Sequence, residues 1–225
     1  MSAPARAFTV RHIQLLRALF AATAALMITF SPDHSAAVGL SVFSGFAFVT
    51  ALVLVLAAWL VLPEGSRWPA VVMAVIDIIA GMAGGIPAWR SADLYFVVVI
   101  AWGLLTGVTE LIAGIRARRA NDPLARDAVT VGAFGIILAI ALLLVPAGFA
   151  QDYTVDEAGT FTLTGIILGV GMFGAYAAIV AVFLGIAGLT PRGRDAGADG
   201  ATDAGARQLD HDGTPAASSE SGGMR

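Results

Sequence analysis

Cysteine is absent from the 225 residues, which removes disulfides, thiolate metal sites and thiol catalysis together. Lysine is absent too: all thirteen basic residues are Arg, a compositional bias from which no mechanism follows. Charge of either sign is scarce, at 13% of residues against roughly 25% in a soluble domain. What fills the gap is apolar: 58% of residues are hydrophobic, and the mean hydropathy is +0.83. Such a chain needs a solvent other than water, and a lipid bilayer is the expected partner. The net charge of −3 is small, so neither nucleic acid nor an acidic substrate is expected. The three histidines, His12, His34 and His211, fall in flanks or tails. A His-based metal site would need ligands from opposite sides of a membrane, so no metal and no cofactor is expected.

A bilayer core about 30 Å thick takes roughly 20 apolar residues of α-helix, because each residue rises only about 1.5 Å. Six stretches meet that length: Ile13 to Phe30, Ala36 to Leu62, Pro69 to Trp89, Leu94 to Ile115, Ala128 to Phe149 and Phe161 to Leu189. They predict an all-α, polytopic membrane helix bundle spanning residues 13–189, between a short N-terminal segment (1–12) and a polar tail (190–225). Twelve Arg, including Arg6, Arg11, Arg17, Arg67, Arg116, Arg118, Arg119, Arg126 and four in the tail, fall on one side, and only Arg90 on the other. Positive charge accumulates on cytoplasmic flanks, so both termini are expected in the cytoplasm. The opposite loops carry Asp33, His34, Asp93, Asp152, Asp156 and Glu157. A cleaved signal peptide, with Arg6 and Arg11 before the apolar run Ala18 to Phe30, competes for the first span. It would leave an odd number of helices.

A periodic pattern argues against that cleavage. Arg11 and Pro32 are followed by Arg67 and Pro87, then by Arg126 and Pro146, each Arg about one membrane thickness of helix before its Pro. The unit is a helical hairpin that enters at Arg, breaks at Pro near the outer surface and returns, so the six spans form three tandem hairpins. Small residues punctuate the spans. Gly103 with Gly107, Gly165 with Gly169, and Gly81 with Gly85 each have GxxxG spacing, which lets helix backbones approach closely in lipid. Such faces serve packing within one chain or between copies in a homo-oligomer.

These features together resemble the HdeD-like membrane proteins: tandem two-helix repeats, a Gly-rich returning helix from Trp102 to Gly114, and Pro closing each outgoing helix. The resemblance is clearest from Trp68 to Leu189. It implies a non-enzymatic bacterial inner-membrane protein, in some members linked to acid resistance, and brings no catalytic residues with it.

Three ionisable residues fall within spans: Arg17, Asp77 and Glu110. Charges in lipid usually face a bundle interior or a water-filled cavity. Glu110 shares a helix face with Gly103, Gly107 and Gly114, and Asp77 with Gly81 and Gly84, so both are expected inside. Counted from the span ends, all three lie about 6–12 Å deep on the Arg-rich side. Arg17 is therefore expected to pair with Glu110 or Asp77 across the bundle, while burial favours the neutral form of the carboxyl left over. A structural cluster that fixes helix register is the simpler reading, and pH sensing or proton movement the functional one; Arg17 alone can also snorkel to the interface.

Other motifs carry less. Gly169, Gly171 and Gly174 spell a GxGxxG inside an apolar helix, where a dinucleotide loop cannot form. Ser44-Gly45 has no intramembrane His to act as a base, so no enzyme is expected. The turn Ser31 to Ser35 reads as a turn with Asp33 or Ser35 capping the second span. The tail beyond Leu189, rich in Gly, Ala, Asp and Ser, has too little apolar content to fold and is expected to be a disordered cytoplasmic extension.

Overall fold

The computed structural model describes residues 8–120, 122, 124–146, 148–155 and 159–190. The tail from 191, Arg6, Asp156 and Glu157 lie outside the described residues, and with them the expectation for the tail. Six helices dominate the described part: α1 Val10–Thr29, α2 Ala36–Leu60, α3 Trp68–Gly85, α4 Ala92–Arg119, α5 Ala125–Leu143 and α6 Gly165–Leu189. All six are long and apolar enough to cross a membrane. Their outward faces are as apolar as the core, with Leu19, Leu52, Ile79, Val97, Ile137 and Val182 all exposed. A helix hydrophobic all round belongs in lipid, and the chain is a multi-pass membrane protein.

The helix ends follow from local chemistry. Ser35 accepts from the Val38 backbone N–H at the start of α2, and Ser91 from the Leu94 N–H at 3.1 Å at the start of α4. Asp33 does not cap α2 itself. Its carboxylate accepts from the N–H and hydroxyl of Ser35 and so orients the residue that does. Pro32, Pro87 and Pro146 each lie just beyond the end of an odd-numbered helix, where a missing N–H is harmless. α4 continues past its apolar run to Arg119, because Arg116, Arg118 and Arg119 suit the negative end of a helix.

One segment departs from the all-helical expectation. Phe161 does not open the sixth span. Residues Ala150–Val155 (β1) and Gly159–Thr164 (β2) form an antiparallel hairpin between α5 and α6, and α6 starts only at Gly165. The residues explain it. Tyr153, Thr154, Thr160, Phe161 and Thr162 are β-branched or aromatic, and Tyr153 stacks on Phe161 directly across the ladder at 5.8 Å. In a plain hydropathy reading, Phe161 and Leu163 merge with the apolar run that follows.

The helices close into a ring in chain order, each packed against the next and α6 packed back against α1. Three interfaces are intimate, α2 with α3, α4 with α5, and α6 with α1, and the three between them are looser. Glycine makes the difference. A Cβ on Gly103 would lie 3.0 Å from the Gly135 carbonyl oxygen, and one on Gly107 would lie 2.8 Å from that of Gly132, so α4 and α5 touch backbone to backbone. Gly81, Gly84 and Gly85 sit against Phe48, Leu40 and Ser44 of α2, and the Ser44 hydroxyl donates to the Gly81 carbonyl at 2.7 Å. Gly174 and Gly188 admit Ile28 and Leu15 of α1. The even-numbered helices also meet near the axis, where Gly169 lies under the rings of Tyr95 and Phe96 and Gly165 is buried.

Replacing Gly107 by Ala should therefore destabilise the bundle by about 1–3 kcal/mol, since a carbonyl on the neighbouring helix must move. Gly171, where an added Cβ meets nothing within 4 Å, is the control. Thermal unfolding in detergent should show a lower midpoint for Gly107→Ala and no change for Gly171→Ala; equal midpoints would contradict the close approach.

Candidate functional site: a polar chamber behind a one-sided vestibule

Ring closure brings polar residues from five helices to one place. Arg17 comes from α1, Thr50 from α2, Asp77 from α3, Trp102, Thr106 and Glu110 from α4, and Tyr176 from α6; they line a small chamber of about 20 Å³. On α4 the three residues follow each other at four-residue spacing, one turn apart on one face. Asp77 is 1% exposed and Glu110 7%.

Each carboxylate has its own partner. Arg17 Nη2 lies 2.8 Å from Glu110 Oε1, an ion pair that ties the first helix to the fourth. The indole N–H of Trp102 donates to Asp77 Oδ1 at 2.6 Å. Of the two carboxyls open to Arg17 in the sequence, Glu110 takes the guanidinium and Asp77 takes the indole. Trp102 is one of the chamber residues that sequence reasoning missed. It reads as one more apolar residue of a Gly-rich helix, and only its spacing with Thr106 and Glu110 marks it.

The two ends of the bundle treat this chamber differently. Toward the proline end lie Tyr95, Val99, Phe43, Leu40, Val170 and Phe173, all below 2% exposed. Phe43 and Phe46 pack edge-on to Trp102 and Phe173, and the Tyr95 hydroxyl donates to the Gly169 carbonyl at 3.0 Å. That layer is apolar and interlocked. Toward the Arg-rich end lies a vestibule of about 700 Å³, lined mostly by apolar residues such as Ile13, Val61 and Leu184. Its polar groups include Gln14, Arg116, Asp122 and Asp127, with Gln14 donating to Asp127 at 2.9 Å and Arg116 lying over the Trp68 ring at 5.2 Å. Arg17, Leu54, Met73 and Glu110 line both spaces, so the ion pair is the partition between vestibule and chamber.

The arrangement can bind a small molecule in the vestibule, where volume and mixed lining suit one. It also places two carboxyls on the chamber wall, Asp77 and Glu110, of which Glu110 borders the vestibule as well. The hydroxyl of Ser44 is held by the Gly81 backbone carbonyl of the neighbouring helix. Among the described residues, no group of three His, Asp or Glu is placed to hold a metal ion. Compared with protein-family models, curated proteins and solved structures, the chain matches none.

Two substitution series test these contacts. Trp102→Phe leaves a buried carboxylate oxygen without its donor and should cost about 1–3 kcal/mol. Arg17→Met and Glu110→Met should each cost about 3–5 kcal/mol, because each strands a charge, while the double variant should recover most of that loss. A double-mutant cycle on thermal unfolding measures this, and additive losses would mean that the pair is not coupled.

Proposed function

We propose that this chain is a non-enzymatic, HdeD-like protein of a bacterial inner membrane whose polar centre responds to cytoplasmic protons, in acid or envelope stress. In this reading both termini lie in the cytoplasm, the helices form three tandem hairpins joined on the outer side, and the vestibule opens inward. One observation carries it: Asp77 and Glu110 lie in a chamber that borders a vestibule at the Arg-rich end and is covered by packed aromatics at the other. The positive-charge bias supports the orientation, and the resemblance from Trp68 to Leu189 supports the stress context.

A second reading, a small proton-coupled transporter or channel using the same carboxylates, is favoured by the vestibule's about 700 Å³, enough for a small solute beside the partition. A homo-oligomer also belongs to the proposal. Gly81, Gly103, Gly107 and Gly169 already face groups of their own chain, which leaves Gly45 and Gly185 as open small positions for a second copy.

Orientation is tested on a chain that is naturally cysteine-free, so that each introduced thiol reports alone. A membrane-impermeant maleimide should label Gly148→Cys in intact cells and Gly65→Cys only after lysis; the reverse pattern would invert the topology. The proton response is tested with the Asp77→Asn, Glu110→Gln double variant. It should insert, with a lower unfolding midpoint because Arg17 loses its partner, and lose acid survival and proton uptake by proteoliposomes after a pH jump, whereas Arg17→Met, destabilised to a similar degree, should keep the uptake. Wild-type behaviour would leave the cluster a purely structural role, whereas solute flux abolished by Glu110→Gln would favour the transporter.

A further inference from the structure

Thr50 is the one described residue with a buried side-chain polar atom that meets no hydrogen-bond partner among the protein groups, and it lines the chamber. It is only 7% exposed. Threonine in a helix commonly donates back to the preceding turn, as Thr106 does to the Trp102 carbonyl and Thr109 to the Leu105 carbonyl, both at 2.7 Å. Thr50 forgoes that bond. A buried hydroxyl left unpaired in an apolar bundle is costly, so its retention needs a partner that is not protein.

We propose that the chamber binds a single water, positioned by Thr50, that bridges Glu110 to Asp77. The volume fits: the chamber's about 20 Å³ exceeds the ~10–15 Å³ that one buried water requires and leaves little room for more. The chemistry fits as well. A buried water takes two to four polar partners, and the wall offers the Thr50 hydroxyl, the Tyr176 hydroxyl and two carboxylates. Arg17 binds Glu110 through Oε1 and Trp102 binds Asp77 through Oδ1, and a carboxylate has lone pairs beyond one such bond.

Through this water a proton passes from the Glu110 carboxyl to the Asp77 carboxylate. Glu110 gives a proton to the water as the water gives one of its own to Asp77, so the water is regenerated and nothing is oxidised or reduced. Glu110 first takes that proton from hydronium in the vestibule, which releases its ion pair with Arg17, and the pair re-forms once the proton has moved on to Asp77. The charged and titratable groups facing the site are Arg17 from α1, Asp77 from α3, Glu110 from α4 and Tyr176 from α6; α2 contributes Thr50 and no charge. Thr50 is thus a positioning residue, acting through the water it holds. The use of the water rests on the proton response proposed above, but its presence does not.

The test is infrared difference spectroscopy on the full-length protein in liposomes across a pH jump, in H₂¹⁶O and H₂¹⁸O, with proton uptake followed in the same samples. The wild type should show an isotope-sensitive band of a buried water, kept in Thr50→Ser and lost in Thr50→Val, with the fast phase of proton uptake lost in Thr50→Val alone. No such band in the wild type, or an unchanged band in Thr50→Val, overturns the water site, the first of these without any variant. The two proposals fail separately. If Asp77→Asn leaves uptake intact while the band responds to Thr50, the proton response is wrong and the water site stands. If Asp77→Asn abolishes uptake while Thr50→Val changes nothing, the water site alone is wrong.

Discussion

Lipid tails are as apolar as leucine, so a bundle in a bilayer gains little by hiding leucine from its surroundings and must be held by how near its backbones come. That constraint shapes this protein. Where glycine occupies the contact, as at Gly103 and Gly107 against Gly135 and Gly132, the helices meet at their carbonyls and dispersion acts over the whole interface. Where it does not, neighbours stand further off. The alternation of three tight and three loose interfaces around the ring follows from the placement of these residues.

The polar centre inherits its geometry from that ring. Arg17 and Glu110 belong to helices that are not neighbours in the ring, and they meet because both reach inward. Trp102 serves two surfaces at once. Its ring packs near-perpendicular to those of Phe43, Phe46 and Phe173, while its N–H holds Asp77, so the apolar layer and the carboxylate are positioned by one side chain. A carboxylate held in that way has little freedom to reorient.

Much of the helical framework was legible in the sequence because length and hydropathy are decisive for spans of this kind. The boundaries were less so. Phe161 to Thr164 are apolar or β-branched and continue smoothly into α6, so no hydropathy window separates the strand from the helix. The inward placement of Asp77 and Glu110 followed from the glycines one turn away. Gly132 and Gly135 are spaced by three rather than four residues and so lack the GxxxG signal, although they form the other half of the α4–α5 contact. Thr50, Tyr176 and the pairing of Gln14 with Asp127 had no local signal at all. Each acquires meaning only when distant helices converge, and a single sequence carries no record of that convergence.

Closure of α6 onto α1 has a consequence for how the chain is threaded. The α2–α3 and α4–α5 contacts are bridged by loops at the Arg-rich end, and the α6–α1 contact is of the same intimate kind but has no loop. The break between the first and last helices therefore falls at one of three comparable seams. The ring has no topological beginning, so a circular permutant joined across α6 and α1 and opened at another seam would describe the same bundle. Biosynthesis nonetheless imposes a beginning. Synthesis runs from α1 towards α4, so Arg17 is made well before the Glu110 it pairs with.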